Sequence, residues 1–355
     1  MRVFLISLIL STAIASAADA DGLTLGKAAM QSAGPLAFSP EGILFVGDSL
    51  GAQVFALDPA DTVPSKLATI KVDGLHRKIA AALGTSFDQL RIHDFKIHPR
   101  TKRVYISVSR GRGVDAFPVI LRLEDGGNFT ELPLNRIRYA SVRLPGVPDE
   151  SRTRRRTLAI TDLGYVDGKV LVAGLSNEEF SSNLRVIPFP FRGANSGASI
   201  EIYHTSHLTY ETDSPVRTFL PLTLNGESHI LAAYTCTPLV KIPLRELQPG
   251  AKVRGATIAE LGRHSSPLDM IAYQKDGHAF LLVANTGRGV LQIPADHLAD
   301  LEELTPENVN TTQEPPIKRI PWLKGAVQLE KWDEENALVL MEWRDSIDLL
   351  SMPLP

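Results

Sequence analysis

Three aspartates, Asp94, Asp162 and Asp269, stand at matching points of three repeated phrases of the chain. Carboxylates arriving from several directions suit a hard cation such as Ca2+, which takes many oxygen ligands. An Asp beside a strand also caps a backbone turn or pairs with an Arg, and the residues alone leave both roles open. His93 adjoins Asp94. A carboxylate neighbour raises an imidazole's proton affinity toward neutral pH, which makes His93 the candidate general base. Successive strand residues point to opposite faces, which works against a direct His93–Asp94 pair. His98 falls at the far end of that strand. His204-Thr205-Ser206-His207 offers two imidazoles of a soft-metal site, but with only Glu211 nearby it reads as a surface loop. Cys236, flanked by Thr235 and Thr237, has no base beside it and reads as a small buried residue. There is no HExxH, GxSxG, P-loop, dinucleotide glycine fingerprint or CxxCH.

The elements that must position these groups repeat six times. An apolar strand, a polar turn, a second apolar strand and a third strand recur, as in Leu36–Phe38, Ile43–Val46 and Gln53–Leu57. Such repetition is the signature of a β-propeller. First strands are expected at Pro35–Phe38, Asp94–His98, Asp162–Val166, Phe219–Leu224, Leu268–Tyr273 and Val327–Lys331. Their spacing averages roughly 58 residues, longer than the ~40–45 of a compact seven-bladed repeat. Asp167-Gly168, Asn225-Gly226 and Asp276-Gly277 fit two-residue hairpin turns. Fourth strands are weaker in sequence, with candidates at Lys66–Val72, Ser199–His204 and Ala256–Leu261. The last copy has no fourth strand of its own, so Leu23–Met30 is expected to complete it and close the ring. His76–Gly84 and Asp296–Leu304 read as short helices. The expected fold is an all-β, six-bladed propeller.

A propeller gathers the starts of its first strands and the turns after its second strands at one mouth of the channel. That geometry places Asp48, Arg110, Asn177, Asn285, Arg288 and Arg344 on a ligand-binding rim, beside Ser49, Glu178, Thr235, Asp345 and Arg217.

Arg2, the apolar run Val3–Ile14 and Ala15-Ser16-Ala17 have the layout of a secretory signal over residues 1–17, with one domain over 18–355. The expectation is a periplasmic or secreted protein without membrane insertion after cleavage. A net charge of −3 gives no field to recruit nucleic acid. The single cysteine excludes an internal disulfide. Seven arginines crowd Arg136–Arg156, which reads as a solvated excursion between repeats or an anionic docking patch.

Pro267-Leu268-Asp269-Met270-Ile271-Ala272-Tyr273, Asp276-Gly277, Leu282-Val283-Ala284-Asn285-Thr286 and Gly289-Val290 resemble a blade of the six-bladed NHL and gluconolactonase-like (SMP-30-type) propellers. Gly34 to Gly42, running on to Asp48-Ser49, is similar. The resemblance implies a divalent cation, usually calcium, held over the channel, with Asp269 at the position of a family ligand and Asp162 substituting for a mid-chain one. Two functions follow. One is a binding or accessory propeller presenting its rim to a small molecule or an extracytoplasmic protein. The other is a calcium-dependent lactonase or hydrolase using Asp94, Asp162 and Asp269, with His93 near the substrate. A third reading is a structural module that docks through Arg136–Arg156.

Overall fold

The computed structural model describes residues 21–113, 116–235, 237–262, 265–312 and 314–355. The signal-like residues 1–17 and Cys236 lie outside them. The chain is all-β and propeller-like. Most strands form antiparallel units of four, each named here by its first residue; parallel pairing of Ser199–Ile202 with Lys252–Gly255 joins the Asp162 and Val216 units into one nine-stranded sheet. The Leu36 unit comprises Leu36–Phe38, Leu44–Asp48, Gln53–Asp58 and Ile137–Arg143. The Leu90 unit comprises Leu90–Ile97, Val104–Arg110, Phe117–Leu123 and Phe129–Glu131. The Asp162 unit holds Asp162–Val166, Lys169–Leu175, Ser182–Pro188 and Ala198–His204. The Val216 unit holds Val216–Leu224, Glu227–Tyr234, Pro238–Pro243 and Lys252–Glu260. The Pro267 unit is Pro267–Lys275, His278–Asn285, Gly289–Pro294 and Lys318–Ile320; the Ala326 unit is Ala326–Lys331, Asn336–Glu342, Ile347–Pro353 and Lys71–Val72. Asp167-Gly168, Asn225-Gly226 and Asp276-Gly277 all take positive φ at both residues, as a type I′ hairpin demands.

The second strands are buried on both faces, and alternate side chains enter different cores. Leu44 and Val46 pack with Tyr105 and Ile120 of the Leu90 unit, while Phe45 packs with Val170 and Val172 of the Asp162 unit. Leu231 and Ala233 face Leu281 and Val283 of the Pro267 unit, and Ile230 and Ala232 face Leu171 and Ala173. Leu338 and Leu340 join the Leu90 unit, and Val339 and Met341 join the Pro267 unit. Apolar cores therefore lie between neighbouring units, and burial glues units together as much as it folds each one.

The order of units differs from the order of sequence. First strand Leu36–Phe38 packs against both Leu90–Ile97 and Asp162–Val166, and Leu90–Ile97 packs against Ala326–Lys331. The first two units have thus exchanged places. Two strands make the exchange. Lys71–Val72, expected to complete the first unit, instead pairs with Leu349 and Leu350 in the last. Ile137–Arg143, inside the arginine-rich stretch, returns to pair with Gln53–Asp58. The expected closure by the N-terminal segment is corrected: Thr24–Gly26 pairs with Ile137–Arg143 on the outside of the Leu36 unit. The helix expected over His76–Gly84 forms as Leu75–Ala82, burying Leu75, Ile79 and Ala80. Asp296–Leu304 is turn and coil, with Leu298 and Leu304 buried singly rather than along a helical stripe. Among the described residues no helix is long and apolar enough to cross a membrane.

Gly174 shows how tightly the backbone packs within the Asp162 unit, against the segment that leads into its first strand. A Cβ there would overlap the Ala159 backbone carbonyl, and backbone cannot step aside as a side chain can. Gly174→Ala is expected to cost about 2–3 kcal/mol, lowering the urea midpoint with an unchanged m-value. Gly126→Ala, whose Cβ would meet only the Asn128 side chain at an ordinary 3.7 Å, should leave it within ~0.5 kcal/mol. Equal effects would refute the close approach.

Candidate functional site

Asp94, Asp162 and Asp269 make the same two contacts from three first strands: Asp162 begins its strand, while Asp94 and Asp269 lie inside Leu90–Ile97 and Pro267–Lys275. Asp94 and Asp269 follow a β-bulge. Each carboxylate accepts two backbone N–H groups. One comes from the next residue: Phe95, Leu163 or Met270, all at 2.8 Å. The other comes from a neighbouring unit: Leu36 N at 2.7 Å, Phe219 N at 2.9 Å and Leu329 N at 2.8 Å. The residues preceding those three donors are Pro35, Thr218 and Gln328. Asp94 and Asp162 each clamp their own unit to one neighbour, whereas Asp269 accepts from Leu329 N of the Ala326 unit and also from Thr218 Oγ1 of the Val216 unit at 3.4 Å. Gln328 Nε2 donates to His93 O at 2.5 Å and Lys96 Nζ to Glu330 at 2.7 Å, which fastens the Leu90 and Ala326 units together.

These groups are half-buried and act on one another electrostatically. Burial pushes Asp94 up to about 8, with Lys96 opposing and Asp269 adding to the rise. Burial likewise pushes Asp162 up to about 6, against the pull of Lys96. Burial disfavours the Lys96 ammonium, but Glu330 and the three aspartates outweigh it and hold its pKa well above the ordinary lysine range. The sequence reading missed Lys96, whose signal was its place two residues past Asp94, on the same strand face.

The arrangement is a set of clamps near Lys96, and the ligand atoms of the three carboxylates do not all lie within 4.8 Å of one another. Among the described residues, the only trio of His, Cys, Asp or Glu with ligand atoms within 4.8 Å of one another is His204, His207 and Glu211. His93 itself sits on the bulge, half-buried, with Nε2 2.7 Å from Ser109 Oγ. Burial, aided by Arg91, lowers its pKa to about 4, so its imidazole is neutral and weakly basic at pH 7. His98 is buried in a turn, where Nδ1 accepts the N–H groups of Arg100 and Thr101.

The expected rim is only partly a rim. Asp48 is fully buried. Its carboxylate accepts the N–H groups of Gln31, Ser32 and Gly51 and the Ser32 hydroxyl, each at 2.8 Å. Asn285 is also buried, with Oδ1 accepting from Gly287 N and Arg288 N. Both are turn anchors, as Asx side chains often are, and their placement on an open rim is corrected. Arg288 is half-buried against Gly262. Arg110 and Arg344 are exposed, and Arg110 donates to Leu83 O at 3.4 Å.

Asn177 does reach a cavity. It lines a cleft of about 500 Å³ with Asp149, Arg152, Arg155, Glu178 and Asp213. Val147 and Pro148 supply apolar wall, and Ser176 and Ser181 hydroxyls. The arginine-rich stretch builds one side. Arg156 is buried beneath it, donating to Leu50 O and Pro148 O, and so anchors the short helix Thr153–Arg156. Arg155 donates to Ser181 Oγ at 2.8 Å. The solvated excursion of the sequence reading is thus a strand, Ile137–Arg143, followed by a cleft wall. Spacing in sequence gave no sign that Arg152 and Arg155 would meet Asn177 and Asp213.

No family model matches this chain, and no curated protein matches it. Several solved structures align with the chain along most of its length. A Thermus thermophilus protein described as an oxidoreductase (glucose dehydrogenase) is 11% identical, with 93% of this chain and 99% of that chain covered and a TM-score of 0.38. The PQQ-bound aldose sugar dehydrogenase of Streptomyces coelicolor is 10% identical, covering 93% and 96%, at 0.37. A streptogramin B lyase is 11% identical, covering 94% and 97%, at 0.34. No activity transfers at this level of likeness.

Proposed function

We propose that the chain is a closed six-bladed propeller, exported to the periplasm or beyond, that binds a polar small molecule or a polar segment of an extracytoplasmic protein. The single observation that carries the binding reading is the cleft formed by Arg152, Arg155, Asn177 and Asp213. Opposite charges at fixed positions above a short apolar wall orient a ligand bearing both signs. The alternation of core between units supports the ring, and Lys71–Val72 is its closing strand. The test is a thermal-shift screen of amino acids, small carboxylates and short polar peptides, followed by titration calorimetry. Hits should weaken at least ~10-fold in Arg152→Ala, since a charged hydrogen bond contributes about 1.5–3 kcal/mol, with the ligand-free midpoint unchanged. Hits indifferent to Arg152 and Asn177 would sink the assignment.

Calcium-dependent lactone hydrolysis is the second reading. The mutual influence of the three inner carboxylates favours it, while their engagement with backbone N–H groups counts against it. A calcium-raised melting midpoint, abolished by chelator and accompanied by lactone turnover, would establish it in place of the first.

A further inference from the structure

A second cluster lies outside both the cleft and the inner carboxylates, on a hairpin. Strand Ala198–His204 pairs with Thr209–Glu211, setting Ile202 opposite Glu211 and His204 opposite Thr209. His204 and Glu211 are therefore diagonal neighbours on one face. His207, in the turn, leans over them. Its Nδ1 is 2.5 Å from Glu211 Oε1, and its ring lies 4.1 Å from that of His204. His204 Nδ1 stands 2.9 Å from the same oxygen.

Hydrogen-bond accounting around His204 is informative. Thr237 has one hydroxyl proton and donates it to Glu260. Toward His204 Nε2, 3.2 Å away, the hydroxyl must then accept. Nε2 carries a hydrogen, so Nδ1 of a neutral His204 is a bare lone pair directed at a carboxylate oxygen. A cation between them turns that repulsion into coordination. The remaining contacts match what metal-bound side chains need. His204 is held through Thr237 to Glu260, and Glu211 Oε2 accepts from Ser214 Oγ at 2.9 Å. The His204 side chain is 2% exposed and that of His207 56%, giving a closed floor and an open side.

We infer that His204, His207 and Glu211 bind a zinc-class transition-metal ion. Two imidazole nitrogens and one carboxylate oxygen suit Zn2+ rather than the all-oxygen preference of Ca2+ or Mg2+. Three protein ligands leave one coordination position on the exposed side for water or a ligand. Zinc–nitrogen distances of ~2.0–2.1 Å require the three groups to part slightly, and the exposed turn bearing His207 permits that. The site stands independently of the cleft.

The test is calorimetric titration of metal-stripped full-length protein with zinc chloride near neutral pH. One equivalent should bind. His207→Ala, at an exposed position, should weaken binding at least ~100-fold and leave the metal-free melting midpoint unchanged. Thr237→Val, removing the group behind His204, should weaken it ~10–100-fold. His278→Ala, at an exposed His–Asp pair elsewhere, should have no effect. Cobalt substitution should give a visible spectrum that His207→Ala abolishes. Failure to bind one equivalent, or tight binding indifferent to both His207→Ala and Glu211→Gln, would overturn the site.

Discussion

Asp269→Ala is expected to lower the melting midpoint by roughly 5–10 °C, equally in calcium and in chelator. The carboxylate accepts Met270 N from its own strand and Leu329 N from the Ala326 unit. Removing it strands two N–H groups and the Thr218 hydroxyl, each bond to a charged acceptor being worth about 1.5–3 kcal/mol. Relief of repulsion from Asp162 offsets part of this, leaving about 3–4 kcal/mol. In a chain of this size each kcal/mol moves the midpoint by roughly 2 °C. Asp269→Asn, which keeps an acceptor in place, should lose less than half as much. The measurement is differential scanning calorimetry of the parent and both variants, with calcium and with chelator. A loss seen only in calcium would show the residue to be a metal ligand rather than a clamp.

Raising the pH from about 6.5 to about 8 should destabilise the protein. Asp94 has a folded pKa of about 8 against an ordinary 3.8. Between those values the native form keeps a proton that the unfolded chain releases, so rising pH favours unfolding. Asp162 adds the same trend between 3.8 and about 6. His93 runs the other way. Its pKa falls from 6.5 to about 4, so its contribution grows as pH rises through that interval. Above about 6.5 only Asp94 of these three still titrates, with a slope of at most ~1.4 kcal/mol per pH unit. Asp94→Asn should flatten the curve there. Urea unfolding at several pH values reads this directly, and stability rising between pH 7 and 8 in the parent would contradict it. Bound calcium would reverse the trend, because the cation favours the ionised carboxylates.

The strands that bury both faces were the legible part of this sequence. Leu44–Asp48, Val104–Arg110 and Glu227–Tyr234 are apolar runs between turn residues, and local chemistry alone marks them. Asp162, Asp94 and Asp269 were found as equivalent positions for the same reason, since each stands just before the apolar residues of its first strand. Their role was not legible, because it depends on which strand lies next door. Lys71–Val72 has only two residues with which to declare its partner, and that partner lies at the other end of the chain. With the first two units taken in sequence order, Asp94 and Asp162 fall side by side. Only after the exchange does a non-acidic residue separate every acidic pair. His204 misled differently. Its short turn suggested a surface loop, but the returning strand Thr209–Glu211 and Thr237 bury it.

The exchanged units also govern how the chain reaches its native state. The bond from Ile70 N to Ser351 Oγ spans 281 residues, and contacts so distant in sequence slow folding. During synthesis the strand Lys71–Val72 emerges early and has nothing to pair with until the last unit is made. The Leu36 unit waits likewise for Ile137–Arg143. A nascent chain therefore carries unpaired strand edges for most of its length, a state prone to association with other chains. Assembly is gated by its final segment, which behaves as a latch engaging a catch laid down near the beginning.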